Sequence, residues 1–232
     1  MTQNFFSNIE LYYSDEKNFS GNYAKIDNDE YKHITKVMRH SLGDEVYLTN
    51  GNGKIYKGKV SNISNENLMV LITDILAFEN RLKNIIFCIP KLKSPDRMRF
   101  ALEKCTELGI TNFIIFNADY SINKGSKLER WNKITLAAMK QALLSFIPKI
   151  ELSGSLEKII NLNGKKICFE QTAEMRFNSS IISNADRTFF IFGPEGGLSK
   201  RELAMFNKNN IYNFAENRLR AETAIIKCAC LL

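Results

Sequence analysis

Two stretches carry the residue types that can build a ligand site: TFFIFGPEGGLSKRELA at 188–204 and RLRAETA at 218–224. In the first, an apolar run from Thr188 to Phe192 stops at a glycine-proline turn. Gly193, Gly196 and Gly197 let backbone approach a ligand closely, and Pro194 stiffens the turn. Ser199 and Glu202 then stand at the S-x-x-E spacing of a capping box, which opens a helix. A strand, a tight glycine loop and a capped helix form the unit from which open α/β sheets build ligand sites beyond their strand ends. In the second stretch, Arg220 brings a fixed charge and planar donors, suited to stabilising negative charge as it develops. Neither motif holds a histidine or cysteine, so a covalent nucleophile is not expected there. GPEGG alone also reads as a plain connecting turn; its pairing with LRAET on the next unit favours a ligand site.

The surrounding pattern supplies the elements that must position these loops. From Ile85 onward, strands alternate with helices: strands at 85–89, 113–116, 167–170, 189–192 and 211–214, and helices at 96–108, 128–145 and from Thr223 onward. Met98, Leu102, Cys105 and Leu108 fall near one face of the first helix, and Gly109 ends it. Such alternation predicts an α/β fold with a parallel sheet covered on both faces. Residues 1–74 read instead as a small β-rich domain. Strands are expected at 46–49, 54–60 and 68–73, with Asn50-Gly51-Asn52-Gly53 as a hairpin turn. Before them, Tyr31 to Arg39 has helical periodicity, with Ile34, Val37 and Met38 on one face. The charged stretch from Leu76 to Asn84 reads as a linker, so the domains are expected at 1–74 and 75–232.

Composition narrows the class. A chain of 232 residues can bury a real core. Its longest apolar runs are far short of a membrane span, and its first residues lack the pattern of a signal peptide. The five cysteines are scattered and neither histidine lies near one, so reduced thiols, a cytoplasmic setting and no structural metal are expected. The net charge of +7 is unevenly placed: residues 1–75 hold 8 Lys/Arg against 10 Asp/Glu, while 81–133 alone hold 11 Lys/Arg. A basic region of this kind suits a phosphate backbone, and equally a lysine-rich solvated face. No G-x-x-x-x-G-K-[ST] phosphate loop is present, which argues against nucleotide hydrolysis.

KLKSPDRMRFALEKCTELGI, FGPEGGLSKRELAMF and RLRAETA, in that order behind HITKVMRHSLGDEVYLTNGNGKIYKGKV, resemble the 16S rRNA uridine-N3 methyltransferases of the SPOUT superfamily. The resemblance runs over essentially the whole chain. It implies a SPOUT domain whose last segment is threaded into a deep trefoil knot, behind a PUA-like RNA-binding barrel. It implies homodimers packed through the SPOUT domain. It further implies S-adenosylmethionine as cofactor, and uridine 1498 of the small-subunit rRNA as substrate.

On this resemblance the cofactor is expected against Phe192, Gly193, Pro194, Glu195, Gly196 and Gly197, facing Leu219, Arg220, Ala221, Glu222 and Thr223. Phe169, Glu170 and Gln171 contribute a third loop; Glu170 equally reads as an ordinary exposed carboxylate. Arg220 is the first candidate for catalysis, binding the uracil carbonyls as N3 becomes anionic, unless it pairs with Glu222 or Glu195. Glu195 either orients the cofactor, accepts the proton or fixes the turn. His33, Arg39, Lys91, Lys93, Arg97, Lys104 and Gln141 are candidates for rRNA contacts. His33 and Arg39 also read as mere helix capping and solvation, and Lys104 as a local partner of Glu107. Several positions depart from the family pattern: Ala215 stands for a glycine, Leu144 and Tyr120 for arginines, and Gln3 and Asn4 where a basic residue is usual. These departures are expected to weaken individual RNA contacts. The rival readings are a SPOUT enzyme acting on tRNA or 23S rRNA, and a non-catalytic RNA-binding assembly factor.

Overall fold

The computed structural model describes residues 9–122, 127–182 and 186–232; Gln3 and Asn4 lie outside them. The chain divides into two compact units, one of residues 1–80 with 139–147, the other of 81–138 with 148–232.

The first unit is built on a six-stranded sheet. Its strands are β1 (Leu11–Tyr13), β2 (Phe19–Ser20), β3 (Tyr23–Asp27), β4 (Glu45–Thr49), β5 (Lys54–Ile63) and β6 (Asn67–Ala77), in the order β1-β4-β5-β6-β3-β2. β1 runs parallel to β4, and the other pairs are antiparallel. Val46, Leu48, Tyr56, Val60, Leu68 and Val70 alternate onto one face and bury against Tyr12, Ala24, Ile26 and Ile34, as period-two patterning requires. The first three strands are two to five residues long, too short for that period to stand out in the sequence.

The helix expected over Tyr31–Arg39 takes a different form. A short α1 (Asn28–Lys32) runs into a π-helical stretch at His33–Val37, where the Met38 N–H donates to the His33 carbonyl. The widened turn adds a residue to the repeat, so Ile34 is buried while Val37 and Met38 swing out to 64% and 40% exposure. Arg39 then turns left-handed at φ +58° and ends the element.

In the second unit the strands β7 (Ile85–Pro90), β8 (Asn112–Phe116), β9 (Lys149–Ser153), β10 (Lys165–Phe169), β11 (Thr188–Ile191) and β12 (Ile211–Tyr212) form an all-parallel sheet, ordered β12-β10-β11-β7-β8-β9. Because the sheet is covered on both sides, its strands read as continuous apolar runs rather than alternating ones. Phe87, Ile89, Phe113, Ile167, Phe169 and Phe190 bury on one face, together with residues of α2 (Pro95–Glu107) and α6 (Ala221–Cys230). Cys88, Ile114, Phe116, Cys168, Phe189 and Ile191 bury on the other, against α4 (Leu156–Ile160) and the residues around α5 (Lys200–Leu203). The α2 helix ends as expected at Gly109, whose N–H donates to Thr106 while that of Ile110 donates to Cys105. Leu108, expected inside, is 41% exposed.

The helix α3 (Leu128–Gln141) stops short of the expected 145. Leu143 adopts φ +54°, and the Leu144 N–H closes onto the Met139 carbonyl. A left-handed leucine costs about 1–2 kcal/mol, and its packing against Leu11, Tyr47 and Ile55 in the first unit offsets that. No glycine marks this stop, so the sequence conceals it. All five cysteines are free thiols, four of them buried. Among the described residues no helix is long and apolar enough to cross a membrane, and no group of three or more His, Cys, Asp or Glu could hold a metal ion.

Phe190 is fully buried at the centre of the aromatic cluster, with ring centroids 5.6 Å from Phe87 and Phe169 and 5.7 Å from Phe177. Phe190→Ala is expected to destabilise the second unit by about 3–5 kcal/mol, measured as a lowered urea midpoint.

Candidate functional site

The parallel sheet brings the ends of β10, β11 and β12 to one edge, and the loops that leave them enclose a cleft of about 370 Å³. Small-molecule sites of roughly 300–1,000 Å³ are common at such edges. Of the residues expected at a cofactor, Phe169, Glu170, Gln171, Phe192, Gly193, Pro194, Glu195, Gly196, Gly197, Leu219 and Ala221 line it. Arg220, Glu222 and Thr223 do not. Tyr212, Asn213, Phe214, Ala215, Asn217, Arg218 and Ala224 also line it, and sequence reasoning did not single them out as ligand contacts. Their signal was position alone, since Tyr212 ends β12 and all the others but Ala224 lie between it and the LRAET motif.

The floor is aromatic. The rings of Phe169 and Phe192 stack at 5.2 Å and 22°, and Phe214 meets Phe169 edge-on at 4.8 Å. Above it, the Gly197 N–H donates to the Pro194 carbonyl at 2.8 Å, closing a tight turn. Gly197 sits at φ +76°, where a side chain would be strained. A Cβ on Gly193 would lie 3.1 Å from Gly197 Cα and from Leu198 N. The backbone is folded that closely on itself.

The capping box that follows is complete: Ser199 Oγ accepts from the Glu202 N–H, and the Glu202 carboxylate accepts from the Ser199 N–H at 2.9 Å. The second carboxylate oxygen reaches further and accepts from the Asp119 N–H at 3.0 Å, in the turn after β8. Asp119 answers by accepting from the Ser199 hydroxyl and from Arg201, which also pairs with Glu157. Arg201 first, and then Ser199, hold the Asp119 carboxyl below its ordinary value. Glu157 is lowered to about 2, chiefly by Ser155, then by its own backbone N–H and by Arg201.

A second ionic group ties the glycine loop to α2. Glu195 accepts from the Lys93 N–H at 3.1 Å and faces Arg97, with the nearest N···O distance 3.7 Å. The same guanidinium lies 3.5 Å from Glu222. Glu222 is buried in the first turn of α6, and its Oε2 has no hydrogen-bond partner. Arg97 thus occupies both carboxylates that were the alternative partners of Arg220. Arg220 itself is exposed at the N-cap of α6 and makes no ion pair among the described residues.

The other candidates for RNA contact are spread more widely. Lys91 is buried, and desolvation lowers its pKa; it borders a small depression with Lys127, Arg130 and Trp131. Lys93 is exposed. Lys104 is engaged by Glu103 and Glu107 at 3.0 and 2.8 Å. In the first unit, His33 is half-buried with its ring 6.1 Å from Tyr12, and Arg39 and Gln141 are exposed.

The family model for an RNA methyltransferase domain matches residues 79–232, and that for an RNA methyltransferase PUA domain matches 26–73. The chain is 25% identical to ribosomal RNA small subunit methyltransferase E of Bacillus subtilis, over 86% of this chain and 85% of that one. Its namesake in Aquifex aeolicus is also 25% identical, over 97% of this chain and 99% of the relative. Among solved structures, a ribosomal RNA small subunit methyltransferase E from Neisseria gonorrhoeae bound to S-adenosyl methionine superposes with a TM-score of 0.84. It is 23% identical, and the match covers 96% of this chain and 95% of that one.

Two substitutions test the loop geometry. Gly193→Ala crowds backbone atoms that cannot give way, which should raise the dissociation constant for S-adenosylmethionine about tenfold or more, read by calorimetry. Arg201→Ala should raise the carboxyl pKa of Asp119, read by carbon-13 NMR titration. A carboxylate with a depressed folded pKa adds stability above its unfolded pKa and loses it as pH falls through the folded value. The thermal stability gap between wild type and Arg201→Ala should therefore be present at pH 7 and shrink as the pH falls through the lowered values of Asp119 and Glu157, the latter about 2.

Proposed function

The chain belongs to the RNA methyltransferase family, and on that footing we propose that it methylates N3 of uridine 1498 in 16S rRNA, using S-adenosylmethionine. The observation that carries this reading is the cleft itself. Three loops at the ends of adjacent parallel strands meet over an aromatic floor, and in the 193–197 loop a glycine stands where the backbone folds closely on itself. The relatives' shared designation as small-subunit rRNA methyltransferases points to the same substrate.

The residues present fit the cofactor. The Phe169–Phe192–Phe214 floor and Leu219 offer apolar surface, and residues 193–197 and 217–219 bring polar backbone to the same cleft, suited to a purine edge and a carboxylate. When bound, S-adenosylmethionine supplies an electrophilic methyl group on a sulfonium. Everything else is alignment and charge. Uracil N3 bears a proton on its pairing edge, so the base must enter unpaired and give that proton up. Arg220, uncommitted at the N-cap of α6, is assigned to the uracil carbonyl oxygens as the ring becomes anionic. Arg218, which lines the cleft, is assigned to the cofactor. Glu195 positions the glycine loop through Lys93 and Arg97.

On this reading the N-terminal PUA-like unit helps hold RNA. Lys91, Lys93 and Arg97 of the catalytic domain serve the substrate backbone or the loops beside it. The trefoil threading and the homodimer implied by the resemblance belong to the same proposal, as does a cytoplasmic place of action on the small subunit.

Labelled methyl transfer to small subunits lacking the modification tests the reading. Label is expected in 3-methyluridine. Arg220→Ala should lower kcat by about 10²-fold with cofactor affinity kept, whereas Arg218→Ala should weaken cofactor binding. Label in another nucleoside would reassign the substrate. Absence of both label and cofactor binding would leave an assembly factor.

A further inference from the structure

The turn after β8 holds a side chain that the transfer chemistry leaves unused. Tyr120 is 56% exposed, and its ring and hydroxyl make no contact of their own with another ring or a hydrogen-bonding group among the described residues. It is nevertheless close to the cleft. Its Cβ, Cδ2 and Cγ lie 3.5–3.8 Å from the Cβ position of Gly196, a residue of the cleft lining.

The backbone that presents the ring is held from several sides. The Ser121 N–H donates to the Ala118 carbonyl at 2.9 Å, and the Ala118 N–H donates to Ser121 Oγ at 3.2 Å. The Asp119 N–H is taken by the buried Glu202 carboxylate, and the Asp119 side chain by Ser199 and Arg201. On an anchored turn an exposed tyrosine has only its two side-chain torsions to order on binding, a low cost for so large a contact surface. Arg201 offsets the charge of Asp119 beside it, so a polyanion is not repelled there. Splayed single-stranded bases stack on faces of this kind, largely irrespective of sequence.

We propose that Tyr120 is a stacking platform for an unpaired base of the RNA substrate, set against the outer side of the glycine loop whose inner side lines the methyl-transfer cleft. This rests on the reading of the cleft as an RNA methyltransferase site. Tyr120 touches substrate outside the reacting atoms, so it governs RNA affinity and the placement of the target base, and leaves cofactor affinity alone.

The test compares wild type with Tyr120→Ala and Tyr120→Phe. Cofactor affinity is read by calorimetry, KM and kcat on small subunits by methyl transfer, and RNA contact by quenching of a single-stranded RNA carrying 2-aminopurine. Tyr120→Ala is expected to raise KM for the RNA substrate about tenfold and to abolish the quenching, with the S-adenosylmethionine dissociation constant unchanged. Tyr120→Phe should behave as wild type in all three, because the ring and not the hydroxyl stacks. An unchanged KM and unchanged quenching in Tyr120→Ala would overturn the proposal. So would a parallel loss of cofactor affinity, which would make the ring a prop for Gly196, or a changed sedimentation coefficient, which would make it a protein contact. Wild-type protein that binds no cofactor and transfers no methyl would instead sink the broader reading, while the quenching arm would still judge the ring.

Discussion

One buried carboxylate holds the site in register. Glu202, 1% exposed, accepts from the Ser199 N–H with one oxygen and from the Asp119 N–H with the other. The first bond completes a helix cap, worth about 1 kcal/mol in general. The second binds the first turn of α5, and with it the end of the loop after β11, to the turn after β8. A buried carboxylate left without those donors would carry a desolvation penalty far larger than either bond returns, so the two segments move as one. The glycine turn at 193–197 can then be tight without being loose, since its far end is fixed by a group that tolerates no displacement.

The glycine loop is anchored at its other side by charge. Arg97 stands between Glu195 on this loop and Glu222 at the start of α6, so a single guanidinium spans the elements that carry GPEGG and LRAET. The separations of 3.7 and 3.5 Å are those of ion pairs rather than close hydrogen bonds, and the Arg97 side chain remains 35% exposed. Its contribution is orientation more than stability. By meeting both carboxylates it leaves Arg220 with its charge unspent at the mouth of a helix. A cation there is not favoured by the helix dipole, which makes a negatively charged ligand its natural partner.

Beneath the loops, the phenylalanines of β7, β10 and β11 make the cleft floor continuous with the core. Phe192 and Phe169 belong both to the main hydrophobic cluster and to the cleft lining. A ligand resting on them meets a surface whose shape is set by packing rather than by induced movement. The same continuity explains why the strands around the cleft are almost wholly apolar: both faces of the sheet are covered.

The sequence by itself determined the class of the C-terminal unit, the location of its ligand loops and the family to which it belongs. Each signal was local. The apolar run at 188–192, the glycine spacing at 193–197, the Ser199–Glu202 cap and the Gly109 stop depend on a handful of neighbouring residues, and the structure realises them where the spacing put them. What the tertiary structure alone decided depends on residues far apart in the chain. The π-turn at His33–Val37 rotates Val37 and Met38 outward, and the Leu143 turn ends α3 because of a cluster with Leu11, Tyr47 and Ile55. The engagement of Glu195 and Glu222 by Arg97 rather than Arg220, and the pinning of the Tyr120 turn by Glu202, join segments some eighty to well over a hundred residues apart. Periodicity and capping are read over one or two turns of chain. Which carboxylate meets which guanidinium is settled only when the parallel sheet has placed their strand ends on one edge.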